Sequence, residues 1–252
     1  MKIALRLSYL GTDFCGYQVQ PGVPTVQNAL NIAAKGLFGV DCDITGCSRT
    51  DSGVHANDFC VAVTEKGKPY LNTTVPLERI PIALNVRLPL GISVRSAEVV
   101  GDDFHPRYDV LLKEYVYLIR DSRIRDPFVE GRVYSFPRRI SDDGIEKMNL
   151  AASFLCGTHD FSSYMASGSK VESTVRVMKY ASVCRDGETV RITLAADGFL
   201  YNMVRIISGT LLDVAEGRIS PDDIPSITEA CDRSRAGATL PACGLYLNKV
   251  VY

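Results

Sequence analysis

The sequence predicts an α+β protein with two similar halves, and three observations support this prediction. Apolar residues make up 46% of the 252 residues and charged residues 23%, which is typical of a globular chain and excludes collagen-like, coiled-coil and disordered classes. Apolar residues recur at strand spacing in some segments and at helix spacing in others. The first half follows the order β-α-β-β-α-β, and the second half repeats this pattern more loosely.

The elements of the first half follow from hydrophobic period and from Gly and Pro positions. Residues 2–9 alternate apolar and polar side chains and predict a strand, and the Gly- and Pro-rich segment after it predicts a long loop. Thr25 is a candidate N-cap for a helix that ends before Gly39. The other predicted elements are strands at 42–48, 58–65 and 92–99 and a short helix around 77–85.

The second half has a strong hairpin signal at Asp186-Gly187, and Gly157 is a candidate cap at a helix end. Two α+β halves joined near residue 104 fit the order of elements, so the predicted domains are 1–104 and 105–252. The predicted elements are strands near 113–120 and 131–136, a helix from Ser141 to about Leu155, strands near 174–184 and 189–196, a helix from Phe199 to Leu212, a short helix near 222–231 and a strand at 245–251.

Charge and cysteine patterns exclude some classes of site. The net charge of −1 gives no overall positive field, so a nucleic-acid site has to be a local patch. Residues 105–139 carry eight Lys or Arg and five Asp or Glu, interleaved with aromatic residues. This pattern suits an RNA-binding surface, and a solvated strand face over an aromatic core explains it equally well. The eight cysteines lack Cys-x-x-Cys spacing, which favours free thiols in a reducing cytoplasm over a metal centre.

The run from Gly46 to Ala56 carries the most chemistry in the chain. Between two apolar strands it places a cation, a carboxylate, three hydroxyls and two glycines: Arg49, Asp51, the residues Ser48, Thr50 and Ser52, and Gly46 with Gly53. Such a loop can present a carboxylate to a ligand. A tight turn in which Asp51 bonds neighbouring amides explains the same composition, so composition alone leaves both readings open.

This run resembles the G-R-T-D-x-G-V-H signature of the tRNA pseudouridine synthase TruA family. This chain has Tyr17 at a position where many family members have Trp. Further blocks resemble the same family in the same order along the whole chain: Tyr9-x-Gly11, Gly16-Tyr17-Gln18-x-Gln20, Thr25-Val26-Gln27, Asp103-Phe104-His105-Pro106-Arg107, Lys113-Glu114-Tyr115-x-Tyr117, His159-Asp160-Phe161-x-Ser163, Phe199-Leu200-x-x-Met203-Val204-Arg205 and Gly244-Leu245-Tyr246-Leu247.

The resemblance implies an enzyme that converts uridine to pseudouridine without a cofactor. Its implied substrate is the anticodon stem-loop of tRNA, at positions 38, 39 and/or 40 in tRNA numbering. It implies the pseudouridine synthase fold, in which two similar domains with antiparallel sheets and flanking helices enclose an active-site cleft. A cytoplasmic homodimer that binds tRNA, and neither membrane nor DNA, is the expected form of the protein.

The resemblance also implies roles for five residues. Asp51 is the covalent catalyst, and attack on the uracil ring, attack on the ribose and a glycal route all stay open. Arg49 matches the arginine associated with extrusion of the base, and Tyr115 matches the tyrosine that lies against the flipped base. Arg205 matches the arginine that pairs with the catalytic aspartate, and Leu245 matches a leucine at the active-site pocket.

Two other functions compete with the enzyme reading. A non-catalytic RNA-binding module could share the fold. The presence of all four residues to which the resemblance gives direct roles in the reaction weighs against it: Asp51, Arg49, Tyr115 and Arg205. A small-molecule phosphate binder would need a Gly-rich cradle followed by Lys and Ser or Thr, which the sequence lacks. His55 and His105 are interpreted as structural residues rather than general bases.

Overall fold

A computed structural model describes residues 1–168 and 171–252 and shows an α+β chain with two compact units. The first unit comprises Met1–Leu111 with Leu247–Tyr252, and the second comprises Leu112–Tyr246. The units therefore differ from the predicted halves 1–104 and 105–252. The difference arises because the end of the chain returns to the sheet of the first unit, and this long-range pairing leaves no local mark in the sequence.

The first unit is built on a sheet with two helices. Its strand order is β4-β1-β3-β10; β1 pairs antiparallel with β3 and β4, and β2 pairs antiparallel with residues 61–65 of β3. The register places Leu5 opposite Val61 on one side and opposite Ala97 on the other. The elements are β1 (Lys2–Tyr9), α1 (Val26–Phe38), β2 (Cys42–Gly46), β3 (His55–Glu65), α2 (Ile80–Asn85), β4 (Ile92–Val100) and, from the end of the chain, the part of β10 (Leu245–Val251) that follows Tyr246.

Local sequence signals explain β1 and α1. The predicted strand at 2–9 is confirmed as β1. The Thr25 side chain accepts a hydrogen bond from the Asn28 amide, which confirms the predicted N-cap of α1. At the other end Gly39 has a φ of 73°, a left-handed conformation that costs glycine little. The buried face of α1 consists of Val26, Leu30, Ala33 and Ala34.

The second unit is also a sheet with flanking helices, in the strand order β5-β9-β8-β7 with β6 paired to β5. The predicted Asp-Gly hairpin is confirmed, since Asp186 lies opposite Thr189 and Gly187 has a φ of 59°. The elements are β5 (Leu112–Asp121), β6 (Tyr134–Phe136), α3 (Asp142–Ser153), β7 (Gly157–Asp160), β8 (Val175–Asp186), β9 (Thr189–Ala196), α4 (Met203–Ala215) and α5 (Ile224–Glu229).

One strand pairing in the second unit is parallel. β6 pairs with β5 in parallel over three residue pairs, with Ile119 opposite Tyr134 and Asp121 opposite Phe136. Parallel neighbours need a long connection rather than a tight hairpin. The connection over residues 122–133 supplies this length, and the predicted strand at 131–136 is confined to its last three residues.

Two helix boundaries also differ from the sequence-based prediction. Gly157 does not cap α3 but starts β7, a short strand that the sequence pattern did not indicate. The predicted start of a helix at Phe199 is wrong, because Asn202 has a left-handed φ of 59° and α4 begins at Met203. This boundary places Arg205 in the first turn of α4. None of the helices in the described parts of the chain is long and apolar enough to span a lipid bilayer.

Candidate functional site

The loop that carries Asp51 connects the paired ends of β2 and β3. Gly46, the last residue of β2, lies opposite Val61, and β3 begins at His55. The Val54 amide donates to the Asp51 carbonyl at 3.2 Å, and this closes a turn. Gly53 occupies the turn with a φ of 79°, which is unfavourable for a residue with a Cβ. Gly53 therefore allows the chain to turn directly after Asp51.

Contacts with the long loop after β1 hold this turn in place. The Tyr17 amide donates to the Thr50 carbonyl at 3.1 Å, and the Tyr9 and Thr50 hydroxyls lie 2.8 Å apart. The Phe14 carbonyl accepts bonds from the Ser52 hydroxyl and from the Gly53 amide, both at 3.3 Å. Thr50 is buried beneath the loop, whereas Asp51 is half-buried. The carboxylate is thus presented from an anchored backbone.

Arg49 and His55 lie on the two sides of this turn and differ in solvent exposure. Arg49 is exposed, as a residue that contacts RNA needs to be. His55 is fully buried, and its Nδ1 accepts a hydrogen bond from the Gly11 amide at 3.0 Å. This contact supports the structural interpretation of His55, because the bond ties the loop after β1 to the start of β3.

We expect Thr50→Val to loosen the anchored turn. The variant keeps the shape of the side chain and removes the hydroxyl next to Tyr9. The free energy of unfolding should therefore fall by about 1–2 kcal/mol. In an assay of the activity that the family resemblance implies, product yield should fall more than substrate affinity, since the substitution disturbs the position of Asp51. Urea unfolding and product yield measure the two effects. Thr74→Val, at an exposed threonine of the same unit, is the matched control and should change neither.

The second unit contains the other three predicted site residues. Tyr115 lies in β5 opposite Leu194 and is 7% exposed, and its ring centroid lies 5.0 Å from that of Phe199 at an interplanar angle of 79°. Leu245 is the first residue of β10 and is buried. Both side chains are buried within strands. This burial is compatible with a rigid apolar wall of a binding site and equally with ordinary core packing.

Arg205 is held in a defined orientation at the start of α4. Its Nε donates to the Leu240 carbonyl at 2.7 Å, and its Nη1 donates to Asn202 Oδ1 at 2.8 Å. The Arg205 side chain is half-buried. Asn202 precedes the helix in a left-handed conformation, and its side chain accepts a bond from the guanidinium.

The predicted site residues are divided between the two units. Arg49 and Asp51 share one loop of the first unit, and Tyr115, Arg205 and Leu245 belong to the second. The predicted Asp51–Arg205 ion pair joins residues of different units and stays a prediction. Among residues 1–168 and 171–252, no three His, Cys, Asp or Glu side chains form a group suited to a metal ion.

The basic stretch 105–139 is partly neutralised within the second unit. Among the described residues, four of its arginines form ion pairs: Arg120 with Glu188 at 2.5 Å, Arg125 with Glu130 at 4.0 Å, Arg139 with Asp121 at 3.2 Å, and Arg138 with Glu216. Asp121 is fully buried and also receives two bonds from Arg185, so these charges stabilise the fold. The local composition therefore overstated the charge available to RNA.

Sequence reasoning gave no individual binding role to four residues that line a small cavity with Arg49. These are Tyr17, His105, Arg107 and Tyr108. The signal that could have found them is the pair of blocks Gly16-Tyr17-Gln18 and His105-Pro106-Arg107. These blocks stand 89 positions apart in the sequence, and the fold of the first unit brings them together.

Comparison with known proteins identifies the family of this chain. A family model described as tRNA pseudouridine synthase matches residues 7–109 and 151–252. The tRNA pseudouridine synthase A of Acetivibrio thermocellus is 41% identical over 251 residues, which cover 100% of this chain and 99% of that protein. The proteins of the same name from Clostridium acetobutylicum and Bacillus subtilis are 41% identical over 252 and 256 residues, with the same coverage. The chain belongs to the tRNA pseudouridine synthase A family.

Proposed function

We propose that this protein isomerises uridine to pseudouridine at positions 38, 39 and/or 40 of the tRNA anticodon stem-loop, with Asp51 as the covalent catalyst. The observation that supports this function best is the anchored turn, which presents a half-buried carboxylate in the signature loop of a family member. A homodimer in the cytoplasm is part of the proposal.

The reaction needs a carboxylate and no redox partner. The N1–C1′ bond of uridine breaks, the uracil turns, and C5 bonds to C1′; N1 gains a proton and C5 loses one. Atoms and electrons balance within the substrate, so we propose that no metal or organic cofactor takes part. Attack on uracil, attack on C1′ and the glycal route all use the ionised form of Asp51.

The other site residues have roles in reaching and holding the base. A uridine in a stem has to leave the helical stack before a carboxylate can reach its glycosidic bond. Arg49 is exposed on the same loop, and a guanidinium can occupy the vacated stacking position or hold a phosphate. In the proposal Tyr115 lies against the extruded base, Leu245 packs at its pocket, and Arg205 keeps Asp51 ionised.

We expect tRNA binding to be salt-dependent despite the net charge of −1. Phosphate contacts release counterions, and about two contacts already lower affinity about tenfold between 50 and 200 mM salt. Arg107 and Arg123 are candidates for such contacts, since the four ion-paired arginines described above are engaged within the fold. Affinity for an unmodified tRNA transcript over this salt range is the measurement. An affinity that stays constant would contradict the prediction.

Base-specific mapping of pseudouridine tests the proposed function. Unmodified tRNA transcripts with uridine at position 38, 39 or 40 are incubated with the protein, and each position is read separately. Product at one or more of these positions is the expected result. Binding without product at any position would favour the non-catalytic RNA-binding module.

A further inference from the structure

A cavity of about 180 Å³ lies beside Arg49 in the first unit. Its walls come from the loop after β1, from the end of β2 and from the segment that follows β4. Of the described residues that line it, two are arginines and none is acidic. The cavity therefore offers a positive, partly aromatic surface next to the loop of Asp51. Its main lining residues are Tyr17, Gly46, Arg49, His105, Arg107 and Tyr108.

The Tyr17 hydroxyl is buried at this cavity without a hydrogen-bond partner among the described residues. Tyr17 is 3% exposed, and its ring packs on Phe59 with centroids 4.5 Å apart. Burial, with a smaller contribution from Cys47, raises the pKa of Tyr17, so the hydroxyl keeps its proton and can donate. An unsatisfied buried hydroxyl destabilises a fold. An acceptor in the cavity would remove this cost.

Gly46 makes room for the hydroxyl of Tyr17. A Cβ built on Gly46 would lie 2.7 Å from Tyr17 Oη and 2.6 Å from two ring carbons, closer than a real Cβ comes to other atoms. The absence of a side chain at 46 thus lets the tyrosine ring reach the cavity wall. Arg107 lies near enough for its charge to oppose the rise in the Tyr17 pKa.

His105 and Tyr108 form a stacked ring pair on the other side of the cavity. Their centroids are 4.2 Å apart at an angle of 26°, and Tyr108 is 76% exposed. His105 Nδ1 accepts bonds from the Arg107 and Tyr108 amides at 3.1 and 3.3 Å, so the segment is preorganised. An exposed ring beside guanidinium groups suits a nucleotide, since bases stack on aromatic rings and phosphates bind arginine.

We propose that this cavity binds a nucleotide of the tRNA strand that flanks the uridine being isomerised. Tyr17 Oη donates a hydrogen bond to it, Tyr108 stacks on its base, and Arg107 binds its phosphate. The inference rests on the proposed function, because Arg49 joins the cavity to the Asp51 loop. It assigns RNA contacts to Tyr17, Arg107 and Tyr108 in addition to the site residues above.

The first test removes the single hydroxyl of Tyr17. Tyr17→Phe should bind an unmodified tRNA transcript about threefold to tenfold more weakly than the parent, with an unchanged or higher unfolding midpoint. Tyr164→Phe is the matched control, because the Tyr164 hydroxyl lies 3.1 Å from Thr228 Oγ1 in the second unit. The control should lower the unfolding midpoint and leave tRNA affinity unchanged. A purely structural Tyr17 would not give this opposite pair of results.

The second test removes the exposed ring. Tyr108→Leu should weaken affinity for the same transcript about fivefold or more, because one stacked base is lost. Tyr70→Leu, at another exposed tyrosine of the first unit, should bind like the parent. Parent affinity in Tyr17→Phe or in Tyr108→Leu would overturn the proposal. The parent's pseudouridine yield, measured on the same samples, reports separately on the proposed function.

Discussion

Asp51→Asn should reduce pseudouridine formation to background while tRNA affinity stays within about threefold of the parent. Asparagine keeps the size of the side chain and most of its hydrogen bonds, but its amide cannot act as the nucleophilic or basic carboxylate. The anchored turn should survive, since its bonds to Phe14 and Tyr17 use other residues. Affinity and yield are measured side by side on one transcript.

Two controls make this result specific. Asp102→Asn changes an exposed carboxylate of the same unit and should keep full yield. Mass spectrometry of the purified Asp51→Asn protein excludes deamidation back to aspartate. Arg49→Ala should behave differently from Asp51→Asn, because losing the guanidinium weakens base extrusion and tRNA binding together.

Arg205→Met should lower turnover by about 10²-fold, the usual effect of removing one electrostatic partner from an active site. The substitution also removes the bonds to Leu240 and Asn202, so a lower unfolding midpoint is expected. Arg205→Lys keeps the charge but not the planar fork, and its turnover should lie between those of parent and Met variant. Arg218→Met, at an exposed surface ion pair, is the control. Parent turnover in Arg205→Met would rule out the predicted Asp51–Arg205 pair.

Local signals explain which parts of the fold the sequence could predict. β1, the Thr25 cap of α1 and the Asp186-Gly187 hairpin depend on neighbouring residues, and the structure confirms them. The parallel pairing of β6 and the return of β10 to the first unit depend on contacts between distant segments. Such pairings have no periodic signature, so the sequence did not indicate them.

The candidate site likewise combines features that local sequence predicts with features that depend on contacts between distant segments. Asp51 and Arg49 stood out because one short loop concentrates charge, hydroxyls and glycine, and the family resemblance gave them roles. The anchoring of Thr50 by Tyr9 could not be predicted, because it joins segments far apart in the chain. The sequence also could not show that the buried Tyr17 hydroxyl lacks a hydrogen-bond partner among the described residues, because this depends on how Gly46 and Phe59 pack around the ring.

Release of tritium from tRNA labelled at C5 of uridine reports directly on catalysis by Asp51. Bonding of C5 to C1′ expels the hydrogen at C5, so the label enters water only when pseudouridine forms. We expect release by the parent protein, none above background by Asp51→Asn, and bound tRNA in both samples. Substantial release by an Asp51→Asn protein free of deamidation, or none by the parent in the presence of bound tRNA, would contradict the proposed role of Asp51.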